Sequence, residues 1–155
     1  FLIQPFIVKG ASMEPNFYDS EYLIIDELTF HFRNPERGEI VVFRPPQHDE
    51  QYYIKRVIGL PGETVEIRNG VITIYNNDIP NGFSLTESYI SEVTEGRDRK
   101  TLGTDEYYVM GDNRDASLDS RFFGAVARDH VIGRVWVRGL PLDRATTFDV
   151  PTYSE

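Results

Sequence analysis

Tyr52-Tyr53-Ile54-Lys55-Arg56-Val57-Ile58-Gly59-Leu60-Pro61-Gly62-Glu63-Thr64-Val65-Glu66-Ile67-Arg68-Asn69-Gly70-Val71-Ile72-Thr73-Ile74-Tyr75 decides the fold class. Tyr52–Ile58, Thr64–Ile67 and Val71–Tyr75 are rich in β-branched and aromatic residues and are punctuated by turn residues, so each reads as a strand. Asn69-Gly70 between two of them is a strong hairpin signal, because the two-residue turn it makes needs positive φ. Outward from this stretch, Leu2–Val8, Tyr22–Ile25, Glu39–Phe43, Tyr107–Met110 and Ile132–Val137 have the same character. Asn34-Pro35-Glu36-Arg37-Gly38 and Leu60-Pro61-Gly62-Glu63 separate strands as turns. No segment sustains a helical period, and Glu27–Arg33 has room for a turn or two only. The expected fold class is all-β. Residues Asn76 to Thr104 are polar, with a charged stretch at Glu92–Lys100, and read as an inserted flap between core strands. The tail after Gly139 is irregular.

The chain of 155 residues suits one domain, 1–155. Ten Phe, nine Tyr and one Trp favour strands. A net charge of −9 repels phosphate backbones, so nucleic acid is not an expected partner. With no cysteine, disulfides, thiolate metal sites and a cysteine nucleophile are excluded. No run approaches the ~20 apolar residues that span a bilayer. The apolar opening Phe1-Leu2-Ile3-Gln4-Pro5-Phe6-Ile7-Val8 has no basic segment before it, and reads as a chain cut from a longer parent rather than a secretory signal.

Lys55 is a charged residue inside an apolar strand. Strand alternation places it with Tyr53 and Val57, and places Arg56 with Tyr52, Ile54 and Ile58. An exposed lysine, with a pKa of about 10.4, is neutral in only about one molecule in 2,500 at pH 7, and cannot serve as a base. Full burial lowers that value by about 3–5 units. Taken alone, Lys55 reads better as an edge lysine with its stem packed and its ammonium in water, and Arg56 as a solvated charge. Ser12 lies in Gly10-Ala11-Ser12-Met13-Glu14-Pro15, where Gly10 lets the backbone approach a substrate and Pro15 fixes the chain beyond. Taken alone, Ser12 reads better as a cap opening a short helical turn. The elbow Gly-x-Ser-x-Gly is not met, since position 14 is Glu.

Gly111-Asp112-Asn113-Arg114-Asp115-Ala116-Ser117-Leu118-Asp119-Ser120-Arg121 follows an apolar strand and is dense in polar groups. It is not an EF-hand loop. Counted from Asp112 or from Asp115, the sixth and twelfth positions are not the required Gly and Glu. A network in which Asp112, Asp115 and Asp119 pair with Arg56, Arg114 or Arg121 stands level with an Asx-rich surface turn. His31, His48 and His130 lack metal-ligand spacing, so no metal and no cofactor is expected.

Ser12-Met13-Glu14-Pro15, Lys55-Arg56-Val57-Ile58-Gly59-Leu60-Pro61-Gly62-Glu63, and Gly111-Asp112-Asn113-Arg114 through Ser117-Leu118-Asp119-Ser120-Arg121 with Gly124 together resemble the boxes of bacterial type I signal peptidases, in order and in spacing. The resemblance runs from Phe6 to about Val137. Joint occurrence outweighs the local readings. It implies coiled antiparallel sheets of the signal peptidase/LexA-like kind, with Ser12 as nucleophile and Lys55 as general base. Ser117 would hydrogen-bond the Lys55 amine, Asp119 and Arg121 would brace the loop, and Asp112 would pair with Arg56. Phe6, Val8, Met13, Phe17, Tyr53 and Ile54 would line the substrate pockets. Some members carry a serine hydroxyl two residues before the nucleophile as an oxyanion donor. This chain has Gly10 there, which leaves that role to backbone N–H groups, chiefly that of Ser12. The usual Thr-Leu after the proline is replaced by Asn16-Phe17.

The resemblance further implies a serine endopeptidase that cleaves signal peptides of exported preproteins after a small-x-small motif. It would be a monomer at the cell membrane, tethered by an upstream transmembrane helix, with the catalytic domain on the extracytoplasmic side. Three competing readings are a self-cleaving repressor-type Ser–Lys protease, a specialised or organellar processing peptidase, and an inactive β-rich peptide-binding module. The first should carry a DNA-binding segment, which is not evident here.

Overall fold

The computed structural model describes residues 3–48, 50–140, 142–148 and 150–153. Phe1 and Leu2, at the apolar start of the first expected strand, lie outside the described residues. The remaining strands form as β1 (Ile3–Ile7), β2 (Tyr22–Asp26), β3 (Ile40–Phe43), β4 (Tyr53–Gly59), β5 (Thr64–Arg68), β6 (Val71–Tyr75), β7 (Phe83–Ser84), β8 (Asp98–Thr101), β9 (Glu106–Met110), β10 (Val126–Ala127), β11 (Val131–Leu140) and β12 (Thr146–Thr147). Helix is confined to one short segment, α1 (Ser120–Phe123), and single 3-10 turns. Thr29–His31 is one of these turns, inside the Glu27–Arg33 stretch.

Ile40-Val41-Val42-Phe43 explains the architecture. All four residues of β3 are buried, as an apolar run covered on both faces must be. Ile40 and Val42 pack with Val8, Met13, Phe17, Leu23, Ile25 and Val135. Val41 and Phe43 point the other way, into a cluster with Phe30, Val57, Tyr107, Val109, Val126 and Val131. The large sheet has the order β1-β2-β11-β3-β4-β9-β10, with β12 pairing β11. Register shifts in β11 and between Val57 and Gly59 of β4 bend its strands. The antiparallel sheet curls into a half-barrel, so the all-β reading holds.

A smaller sheet runs β7-β6-β5-β8. Its β5–β6 hairpin turns at Asn69 and Gly70, with φ of 52° and 79°, the positive values expected of Asn-Gly. Residues 76–104 supply β7 and β8, and the Tyr108 hydroxyl in β9 donates to Asp98 of β8 at 2.5 Å. Ile58, Tyr108 and Met110 from the large sheet share a core with Val65, Ile67, Ile72, Ile74 and Phe83 from the small one.

Gly59 sits where that core is tightest. A β-carbon there would lie 2.4 Å from Val65 Cγ2 and 2.9 Å from Leu102 Cδ1. Gly59→Ala should therefore cost about 1–3 kcal/mol through overpacking. A lower urea midpoint at unchanged slope is the expected result, and an unchanged midpoint would mean that the sheets are not packed this closely.

Candidate active site

The turn that carries Ser12 begins where β1 ends. Gly10 adopts φ +86°, a conformation that suits glycine, and its N–H donates to Asp19 Oδ1 at 2.7 Å. Two tight bonds then close the turn, Glu14 N–H to Ala11 O at 3.1 Å and Phe17 N–H to Met13 O at 2.9 Å. Met13 and Phe17 are buried beneath it. Ser12 is left partly exposed at the crest, and its N–H has no hydrogen-bond partner among the described residues.

Lys55 lies in β4, paired with Val41 of β3, and is only 4% exposed. Its Nζ donates to Ser12 Oγ at 2.9 Å and to Ile54 O at 3.1 Å. The Tyr53 ring centroid is 5.2 Å from Nζ. Burial brings the Lys55 pKa down to about 8, opposed by the negative charges of Asp119 and Asp112. At that value, about one molecule in ten carries a neutral amine at pH 7. Arg56, its neighbour, is not the solvated charge that local sequence suggests. It is 5% exposed, because its strand face is covered by Asp112 and Tyr89. It grips Asp112 with Nε and Nη2 at 2.8 and 2.7 Å, donates to Gly38 O at 2.9 Å, and has Tyr89 stacked at 3.8 Å.

The loop after β9 clamps both. Asn113 N–H donates to Ser12 O at 2.9 Å, and Asn113 Nδ2 to Ala11 O at 3.0 Å. Gly111 must be glycine here. A β-carbon would come within 2.1 Å of Ser117 Oγ and 2.6 Å of Ser12 O. Asp119 is fully buried. It accepts from Ser117 Oγ at 2.8 Å, from Gly111 N–H at 3.0 Å and from Arg121 Nε at 2.9 Å. The Ser117 hydroxyl thus spends its proton on Asp119, and the structure shows no bond from Ser117 to the Lys55 amine, whose partners are Ser12 and Ile54. Asp115, offered by sequence as a pairing carboxylate, is exposed. Arg114 pairs instead with Glu87 and donates to Thr94 Oγ1 at 2.7 Å.

A groove of about 510 Å³ leads to Ser12, lined by Phe6, Val8, Met13, Tyr53 and Ile54 together with Ile7, Lys9, Glu50, Gln51 and Tyr52. Phe17 does not line it. Fully buried, it stacks on Phe148 with ring centroids 4.6 Å apart, and supports the groove floor from below. Among the described residues no cluster of His, Asp or Glu could hold a metal. Glu87, Tyr89 and Thr94 of the 76–104 segment were missed by sequence reasoning. So were the closing contacts from the C-terminal segment, such as the Tyr153 hydroxyl 2.9 Å from that of Tyr89. No charge surplus in the loop pointed to them, since Asp112, Asp115 and Asp119 outnumber Arg114 and Arg121 there.

A family model described as signal peptidase, peptidase S26, matches residues 1–139. Signal peptidase I of Leptolyngbya laminosa is 37% identical over 152 residues, covering 93% of this chain and 72% of that protein. Signal peptidase I P of Bacillus subtilis subsp. natto is 34% identical, over 93% of this chain and 80% of that protein. The crystal structure of a signal peptidase I from Enterococcus faecalis V583 superposes with a TM-score of 0.56 at 36% identity, over 66% of this chain and 97% of that one.

Arg114→Met should leave the Glu87 carboxylate buried without its cation, at a cost of about 3 kcal/mol, the low end for such a loss because the Tyr89 hydroxyl still donates to it. The double variant Arg114→Met/Glu87→Leu should recover most of that stability. Equal denaturation midpoints for wild type and Arg114→Met would refute the pairing.

Proposed function

The chain belongs to the S26 family of signal peptidases, and from that premise we infer that it is a serine endopeptidase that removes signal peptides from exported preproteins, with Ser12 as nucleophile and Lys55 as general base. The single observation that carries the assignment of roles is the Lys55 Nζ to Ser12 Oγ contact of 2.9 Å on a buried amine. In the ammonium form Lys55 donates across this contact. In the neutral form the same geometry lets Nζ accept the hydroxyl proton as Oγ attacks the scissile carbonyl. The ammonium so formed returns that proton to the amine of the mature protein as the C–N bond breaks and the acyl-enzyme forms, and the lysine, neutral again, takes a proton from the water that releases the acyl group. The free N–H of Ser12 is the candidate oxyanion donor, with Gly10 leaving that side open.

β1 is the edge of the large sheet, and β4 pairs with β9 only from Arg56 onward. An extended peptide therefore fits between β1 and Tyr53–Lys55 as an added strand. The apolar side chains of Phe6, Val8, Met13 and Ile54 in the groove suit small apolar side chains before the cut. Asp119 with Arg121, and Asp112 with Arg56, hold the base in place while each arginine offsets a carboxylate that would otherwise keep Lys55 charged. Asp119 in turn fixes Ser117 beside Gly111.

The membrane placement is part of this reading. No helix among the described residues is long and apolar enough to cross a membrane. Ile7, Tyr22 and Leu140 are cross-strand neighbours and are all exposed. This apolar face next to the groove suits a domain working against the extracytoplasmic side of the cell membrane.

Ser12→Ala and Lys55→Ala should each lower kcat/KM for a small-x-small peptide roughly a thousandfold or more with the denaturation midpoint kept. Wild-type turnover by either would sink the pair. The base acts as the neutral amine, so the rate should climb about tenfold per pH unit below the Lys55 pKa of about 8 and level off above it. A rate independent of pH between 6 and 9 would exclude Lys55 as the base.

A further inference from the structure

Asn16 stands four residues beyond the nucleophile, at the foot of its turn, and ties that turn to three other parts of the chain. Its Nδ2 donates to Asp112 Oδ2 at 2.8 Å and to Tyr89 O at 2.8 Å. Its main-chain N–H donates to Met13 O at 2.9 Å, and its main-chain oxygen accepts from the Arg138 guanidinium. Arg138 is itself fixed. It is 7% exposed, lies 5.2 and 5.1 Å from the ring centroids of Phe17 and Phe148, and has Glu21 at 2.9 Å as countercharge.

We propose that Asn16 is a positioning residue for the Ser12–Lys55 pair, holding the nucleophile turn at a fixed height against the Arg56–Asp112 ion pair. The inference rests on the dyad reading and goes beyond it. Ser12 and Lys55 come from separate elements, and their one direct tie is the bond that must change during reaction. A second path joins them without using that bond: from the Ser12 turn through Asn16 to Asp112, from Asp112 to Arg56, and along β4 to Lys55. The chemistry requires a neutral donor at position 16. Both partners of its side chain, a peptide carbonyl and a carboxylate, are acceptors, so the amide can face them only through its NH₂ group. A carboxylate in the same place would meet Asp112 at hydrogen-bond distance with like charge, and a methyl group would leave both acceptors one donor short.

Two substitutions read this out. Asn16→Ala removes the tie. Its kcat should fall roughly tenfold or more in protein that stays folded, and KM for the same small-x-small peptide should stay within about twofold, because a 1 Å displacement of reacting atoms costs turnover rather than binding; the urea midpoint should drop as well, since two acceptors lose a donor. Asn16→Asp keeps the shape and adds a negative charge. The groups facing position 16 are Asp112, Arg56, Arg138 and Arg144 with Glu21 between them, and the phenol of Tyr89; those facing the Lys55 amine are Asp112 and Asp119, with Arg56 and Arg121 as their cations. One more anion in that set favours the ammonium, so the rising limb of the pH–rate profile should move to higher pH by about half a unit or more. The introduced charge moves that limb through its field alone, so the positioning role is read from the Asn16→Ala split between kcat and KM. The proposal is overturned if Asn16→Ala keeps kcat within about twofold, or if KM rises in step with the loss of kcat. Either outcome beside an inactive Ser12→Ala protein would leave the dyad standing and remove only the positioning role.

Discussion

The rest of the site is organised around the cost of keeping the Lys55 amine out of water. A charged ammonium at 4% exposure is disfavoured by lost hydration, and that penalty is what makes a usable base of a lysine. The penalty survives only if nearby anions do not cancel it. Asp112 and Asp119 are both close enough to favour the ammonium. Each is matched by an arginine, Asp112 by Arg56 and Asp119 by Arg121. The two ion pairs are weak evidence of stability in themselves. In the proposed mechanism their value lies in setting the field around the Lys55 amine.

The same requirement accounts for the second layer of contacts. Arg56 is held by Gly38 O and Tyr89 as well as by Asp112. Pro151 and Tyr153 in turn press on Gly38, where a β-carbon would come within 2.9 Å of Pro151 Cδ. Segments far apart in sequence therefore converge behind the groove, whose own lining comes mainly from residues 6–13 and 50–54.

Much of this was legible in the sequence, and the illegible parts share a cause. The apolar runs and the Asn69-Gly70 hairpin carry local signals, whereas the three boxes pointed to Ser12, Lys55 and the Gly111–Arg121 loop only by occurring together. Strands such as β7 and β8 are too short or too charged to announce themselves, and exist because β5 and β6 offer them edges. Arg56 looked solvated because alternation tells which face a residue takes but not what covers that face. Phe17 was expected in the groove lining from the resemblance, yet the turn buries it against Phe148, from a tail that showed no pattern at all. Asn16 was visible only as a departure from the usual residue, and its three partners at positions 89, 112 and 138 are set by the fold.

The strand order carries a consequence for how such a chain comes into being. β11 lies between β2 and β3. The half of the sheet next to the Ser12 turn, β1 with β2, is joined by hydrogen bonds to the half bearing Lys55, β3 with β4, only through β11. Both halves precede β11 in sequence, so the strand that sets Ser12 against Lys55 is made after either of them, and the pair is completed by long-range pairing rather than by local structure.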